Sequence, residues 1–276
     1  MKNAHASHFY GPLEAVVLDW AGTAVDFGSR APVDAFIEAF AAQGVAISAL
    51  DARGPMGTHK RDHLKAILNL PHVMKQWQKR HGKNPDERDI DQIFKAFVPA
   101  QMAVLKHYAT PIPGVLEGVA HMRARGLKLG STTGYVRSML DVVAQAAKEL
   151  GYAPDVSVAA DEAAAGRPQP WMLWRNLQLL NVNPPAACVK IGDTVADVQE
   201  GQAAGCWTVA LVNTGNEVGL THTEWLQAPD SMRRALQQTA RQKLEKTGAH
   251  YVIDDWSVVP DVLAEIDKRL AAGERP

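Results

Sequence analysis

LEAVVLDWAGT, residues 13–23, is the stretch on which the fold turns. Its first part, Leu13 to Leu18, is a short and largely apolar run, which suits a strand buried on both faces. That run delivers a carboxylate, Asp19, to the strand's carboxyl end. Gly22 and Thr23 then permit a tight turn whose backbone N–H groups can surround an anion. Similar runs recur as LKLGS (127–131), VSVAA (156–160), CVKIG (188–192) and WTVALV (207–212), separated by helical segments. Strands alternating with helices predict an α/β fold, a doubly wound parallel sheet with helices on both faces and ligands at the carboxyl ends of the strands.

From residue 29 to the Pro-rich TPIPG at 110–114 the periodicity is helical, with no comparable strand. PVDAFIEAFAAQG, KRDHLKAILNL and DQIFKAFVPAQMAVLKHY carry apolar residues at helical spacing, punctuated by Gly or Pro. The spacing predicts an α-helical insert at 29–108, dividing a core made of residues 1–28 and 109–276. A further helical stretch is expected from about Thr223 to Lys246, with its charges on a solvated face.

Composition narrows the partners. With 29 Lys plus Arg against 30 Asp plus Glu, the net charge is −1, and no broad basic field exists to hold nucleic acid or an anionic membrane. Any anionic ligand must be held locally. Cys188 and Cys206 are too few for a disulfide framework and sit in apolar stretches, so a buried structural role in a reducing compartment is expected. The first residues, MKNAHASHFYGP, show no apolar leader, and no stretch has the roughly 20 apolar residues of a membrane helix. A cytoplasmic location is expected.

Four motifs carry candidate chemistry. Asp19 in DWAGT is a strand-end carboxylate suited to be a nucleophile or metal ligand, although a simple turn-capping role fits it equally when taken alone. In KIGDTVADVQEG, Asp193 follows a strand and Asp197 lies one helical turn on. With Asp19 they would make an oxygen-rich site for a hard cation such as Mg²⁺. GSTTGY (130–135) places Ser131 and Thr133 where either hydroxyl could meet phosphoryl oxygens, and the choice between them stays open. GRPQPW (166–171) supplies Arg167 on a proline-restrained loop as a fixed charge for a transferring phosphoryl group.

That order resembles the haloacid dehalogenase (HAD-like) superfamily over essentially the whole chain. The resemblance implies a Rossmannoid core in which the helical insert is a cap domain. It implies that Asp19 attacks phosphorus in line and that water later frees phosphate from the aspartyl intermediate. Mg²⁺ would be held by Asp19, Asp193 and the main-chain carbonyl of Ala21, with Asp197 supporting the site and Arg167 clamping the phosphoryl group. The superfamily's usual second Asp, which protonates the leaving oxygen, is replaced here by Ala21. An ester hydrolase would lose its general acid by this change.

The insert offers another way to accommodate a leaving group. In GPMGTHKRDHLKAIL, Lys60 follows a Gly-containing turn near a helix start, where the positive dipole end helps to depress its pKa. A neutral amine can form an imine with an aldehyde, and a protonated imine is an electron sink for a breaking carbon–phosphorus bond. With DWAGT, MGTHKRDH, GSTTGY and GRPQPW together, the likeness narrows to the branch of the superfamily that cleaves the carbon–phosphorus bond of phosphonoacetaldehyde. It implies a Lys60 Schiff base, His63 and Tyr135 positioning or shuttling protons at the imine, Met56 lining its pocket, and a homodimer formed through the cap. Two alternatives remain open on sequence: another HAD-like phosphatase or dehalogenase in which Lys60 is irrelevant, and a non-catalytic protein that binds a phosphorylated metabolite.

Overall fold

A computed structural model describes residues 9–276. Residues 1–8, which include most of the stretch read above as lacking an apolar leader, lie outside the described residues. Ala15–Leu18 forms β1, and all four side chains are buried, as the apolar run requires. The other strands are β2 Lys128–Thr132, β3 Val156–Val158, β4 Cys188–Gly192, β5 Trp207–Leu211 and β6 Tyr251–Ile253. They form one six-stranded sheet in the order β3-β2-β1-β4-β5-β6, with every neighbouring pair parallel. β6 was not expected: it is a three-residue edge strand, mostly half-buried, and offers no apolar run to read.

The strand order places the site. Successive strands run outward from β1 on one side and from β4 on the other, so the winding reverses between these two. In open α/β sheets the crevice outside such a reversal is where ligands bind. Asp19 and Asp193 each directly follow one of these strands, and the Asp19 N–H donates to Ile191 O at 3.0 Å.

Between β1 and β2 lie α1 Ala31–Ala41, α2 Ala49–Arg53, α3 Lys60–Leu68, α4 Pro71–His81 and α5 Glu87–Val104. Local sequence explains their ends. Prolines open α1 and α4, Ser48 and Asp86 make capping boxes for α2 and α5, and Gly82 closes α4 in a left-handed conformation. Phe36 of α1 stacks on Phe97 of α5 with centroids 4.4 Å apart, inside the helical layer. The outgoing and returning segments meet where Val25 bridges to Pro111.

The remaining helices are α6 Val115–Ala124, α7 Arg137–Glu149, α8 Trp171–Leu180, α9 Val195–Ala204, α10 His222–Gln227, α11 Asp230–Glu245 and α12 Val259–Ala271. The side chains of β1 alternate between two cores: Val16 and Leu18 pack with α6, α7 and α12, while Ala15 and Val17 pack with α8. Both sheet faces are thereby covered, which is the doubly wound arrangement. The single helix expected from Thr223 to Lys246 is two. Ala228 leaves the helical region (ψ 138) in front of Pro229, because a following proline disfavours α backbone. Cys188 and Cys206 are buried and form no disulfide. Among the described residues, no helix is long and apolar enough to cross a membrane.

Candidate active site

Asp19 leaves β1 into the turn 20–25, in which the Trp20 carbonyl accepts from the N–H groups of Thr23, Ala24 and Val25. The turn is tied to the neighbouring strand ends. Thr23 Oγ1 donates to Asp193 Oδ1 at 2.9 Å, the Asn216 N–H donates to Asp193 Oδ2 at 2.8 Å, and Thr214 Oγ1 donates to the Gly22 carbonyl at 2.8 Å. Asp193 therefore has a fixed rotamer and only neutral hydrogen-bond partners.

Asp19, Asp193 and Asp197 each present an oxygen within 4.8 Å of the others, and all three are buried. Burial, then the Asp197 charge, raises the Asp19 carboxyl above its ordinary range, although Arg167 and Lys190 pull the other way. Asp193 is pushed well up by burial and by repulsion from Asp19 and Asp197. Asp197 differs. Burial acts to raise it, but Arg167 and Lys190 outweigh that and hold it below the usual range. An all-oxygen set of buried, mutually repelling carboxylates, two of them incompletely neutralised, has the chemistry that a hard divalent cation needs.

Behind the carboxylates stands a buried ionic network. Arg167 Nη1 lies 2.8 Å from Asp19 Oδ1 and 2.9 Å from Asp197 Oδ1. Its Nε donates to Glu200 Oε2 at 2.9 Å and its Nη2 to Thr132 Oγ1 at 2.7 Å, so three sides of the guanidinium are held. Lys190 Nζ sits 2.9 Å from Asp197 Oδ1 and donates to Thr132 Oγ1 at 3.1 Å. Lys190, Glu200 and Thr132 were not singled out from sequence. Lys190 carried a signal, since a lysine inside the buried run CVKIG requires a counter-charge. Asp197 provides it at 2.9 Å, and Glu200, one turn further along α9, adds a second carboxylate with Nζ to Oε2 at 3.5 Å.

Above Asp19, a small cleft is lined by Asp19, Ala21, Met56, Lys60, Thr133 and Tyr135, among others. Lys60 is the first residue of α3 and is 3% exposed. Its Nζ lies 5.6 Å from the Phe36 ring centroid and 5.2 Å from that of Tyr135. Burial among these rings lowers the ammonium pKa to about 8. The Tyr135 phenol is pushed well above its ordinary range, first by burial. A larger groove of about 710 Å³, lined by Phe27, His222, Trp225 and Trp256, contains none of the clustered carboxylates.

Two sequence expectations change in detail. Ser131 does not line this cleft: its hydroxyl accepts from Trp20 Nε1 at 2.9 Å and donates to Ser157 Oγ at 2.8 Å, so it is engaged elsewhere. Thr133 does line it, with Oγ1 accepting from the Tyr135 N–H at 3.1 Å. His63 is wholly buried against Phe36, and its Nε2 lies 2.7 Å from the Ala52 carbonyl. A carbonyl only accepts, so Nε2 carries the proton, and Nδ1 is left as a bare buried lone pair. Burial holds the ring's pKa well below its ordinary value, with the Lys60 charge adding to the effect. The immediate role of His63 is to tie α3 to the end of α2.

Known proteins agree with this architecture. The haloacid dehalogenase-like hydrolase family matches residues 13–205, and the HAD-hydrolase-like family matches residues 164–255. The chain is 47% identical over 268 residues to phosphonoacetaldehyde hydrolase of Vibrio cholerae, covering 96% of this chain and 98% of that one. It is 44% identical over 266 residues to phosphonoacetaldehyde hydrolase of Nitratidesulfovibrio vulgaris, covering 96% and 95%. A crystal structure of a phosphonoacetaldehyde hydrolase-like protein from Oleispira antarctica superposes over 100% of both chains with a TM-score of 0.96 at 38% identity. At 18% identity and a TM-score of 0.66, a putative phosphoglycolate phosphatase from Lactobacillus delbrueckii subsp. bulgaricus shares the fold, over 92% of this chain and 99% of that one. With the clustered carboxylates at the sheet's reversal point and relatives of this identity over nearly full length, the chain belongs to the haloacid dehalogenase-like hydrolases and, within them, to the phosphonoacetaldehyde hydrolase family.

Proposed function

We propose that this hydrolase cleaves the carbon–phosphorus bond of phosphonoacetaldehyde, giving acetaldehyde and phosphate. One observation carries the reading: Lys60, an amine with a depressed pKa, lines the same small cleft as Asp19 and Ala21. A cleft without a carboxylic acid at position 21 has no obvious donor for a leaving alkoxide. An amine beside the nucleophile instead provides for a leaving carbanion.

The neutral Lys60 amine adds to the aldehyde carbon, water leaves, and a protonated imine forms. An Asp19 carboxylate oxygen then attacks phosphorus as the carbon–phosphorus bond breaks, and the bonding pair moves into the imine to give an enamine. A proton returns to the enamine carbon, and water releases acetaldehyde and regenerates the amine. A second water displaces phosphate from the Asp19 aspartyl phosphate. Arg167, held by Glu200 and Thr132, keeps positive charge at Asp19 and supports the phosphoryl oxygens as charge moves onto them, with Thr133 as the hydroxyl partner. Met56 and Tyr135 wall the imine away from bulk water, and His63 holds the segment before Lys60 in place.

We assign the carboxylate site to Mg²⁺, with Asp19, Asp193 and the Ala21 carbonyl as ligands and Asp197 fixing the cations behind them. When bound, Mg²⁺ supplies charge neutralisation that lets one anion approach another. We read helices α1–α5 as the cap domain, residues 29–108, and the protein as a cytoplasmic homodimer joined through that cap. The test is to incubate the protein with Mg²⁺ and phosphonoacetaldehyde, add borohydride, and map adducts by peptide mass spectrometry. A reduced two-carbon adduct on Lys60, with phosphate released in the untreated control, is expected. Phosphate release with no adduct would exclude the imine route.

A further inference from the structure

Arg53 ends α2 and takes no part in the chemistry above, yet its guanidinium donates four hydrogen bonds from the helical layer to the sheet domain. Nη1 donates to Gly28 O at 2.9 Å and to Asn216 O and Oδ1, each at 3.2 Å, while Nη2 donates to Gly219 O at 3.0 Å. All four acceptors are neutral oxygens, so the arrangement is one of shape rather than charge pairing. Asn216 answers with its Nδ2, which donates to the Arg53 carbonyl at 3.1 Å. Gly219 has φ +67, and a Cβ there would lie 2.7 Å from Arg53 Cζ, so the guanidinium rests directly on bare backbone.

Each end of this contact leads to the site. On one side, Arg53 is joined by the tight turn 53–58, in which Met56 N–H donates to Arg53 O at 3.2 Å, to Met56 and then Lys60 in the cleft. On the other, the Asn216 N–H holds Asp193 Oδ2 at 2.8 Å. Gly28 lies on the segment leaving the sheet for the helices, and its N–H donates to Thr214 O at 2.8 Å. One side chain thus ties together the outgoing segment, the turn that carries the amine and the loop that orients a carboxylate.

We propose that Arg53 is a positioning residue, a latch that seats the Met56–Lys60 segment on loop 213–219 and, through Asn216, fixes Asp193 in the same act. Its effect on turnover rests on the reading of Lys60 and Asp19 given above, whereas its effect on local opening does not. Arg53→Ala is therefore compared with the wild-type full chain by amide hydrogen exchange and by phosphate release from phosphonoacetaldehyde, with and without added guanidinium. Exchange is expected to quicken in peptides covering 26–30 and 213–220, with β1 and β4 unchanged. Phosphate release is expected to fall about 10–100-fold, the range for losing a support that orients reacting groups, and guanidinium is expected to restore part of it. Arg53→Lys keeps the charge but offers one ammonium to four acceptors, and falls between. Asn216→Ala repeats the pattern in part, and the double variant loses less than the sum of the two single changes because they share the Arg53–Asn216 contact. Wild-type exchange at both segments in Arg53→Ala would overturn the latch. So would a loss of turnover that guanidinium leaves untouched while exchange rises throughout the chain. If the wild type releases no phosphate from this substrate, the function proposed above fails, and the exchange comparison still decides the latch.

Discussion

Lys60 shows how a residue's surroundings set its chemistry. An exposed lysine is almost wholly protonated near neutrality, but burial over two aromatic rings brings this one to about 8. Imine formation needs the neutral amine, so the fraction of competent enzyme rises as pH increases towards that value and levels off above it. The pH profile of kcat/KM is expected to show an ascending limb near pH 8 rather than near the ordinary lysine value. Lys60→Arg, which keeps the charge but cannot form the imine, should lose turnover by on the order of 10³-fold. A Lys60→Arg variant with near wild-type turnover would refute the imine. Lys190 has the opposite setting, a buried amine matched by Asp197 and Glu200. Lys190→Met strips one cation from that network, and chemical denaturation should record a loss of about 3 kcal/mol, as when a buried ion pair is broken.

At the scale of elements, the site depends on how closely the helical layer meets the strand ends. Gly57 sits at φ +88 in the turn before Lys60, and a Cβ there would fall 2.4 Å from Thr194 Oγ1. Thr194 in turn caps α9 through a reciprocal box with Asp197, so it cannot easily give way. Gly57→Ala is therefore expected to lift the Lys60 segment off the core, cutting kcat/KM by at least about 10-fold. Its stability cost should be only about 1 kcal/mol, that of a side chain forced into left-handed backbone. Steady-state kinetics alongside thermal melts would separate the two; a loss of activity matched by general unfolding would argue against this docking role.

For the whole molecule, sheet winding brings Asp19 and Asp193, 174 positions apart, to one crevice, where burial and mutual repulsion raise both carboxyls and the proposed Mg²⁺ would favour their ionised forms. Phosphate release should stop on treatment with EDTA and return with added Mg²⁺. Release that persists at full rate in excess chelator would remove the metal from the proposal. Sedimentation velocity is expected to report a species of twice the 30.0 kDa chain mass, and a monomer at working concentrations would remove the dimer.

The sequence by itself determined the α/β class, five of the six strands, and the order of DWAGT, GSTTGY, GRPQPW and KIGDT, because apolar runs and strand-end polar motifs are local signals. It also carried the pairing of Ala21 with Lys60, since Ala21 stands where the superfamily has its second Asp and Lys60 follows a Gly-containing turn near a helix start. Tertiary structure alone decided that Ser131 turns to Trp20 and Ser157, that Glu200 and Thr132 brace Arg167, and that Arg53 spans to Asn216. Those contacts join residues 26 to 163 positions apart, where no periodicity or spacing constrains the partner. They form only once the sheet has wound and the helices have closed over it, which is when burial also shifts the proton affinities of the carboxylates and of Lys60.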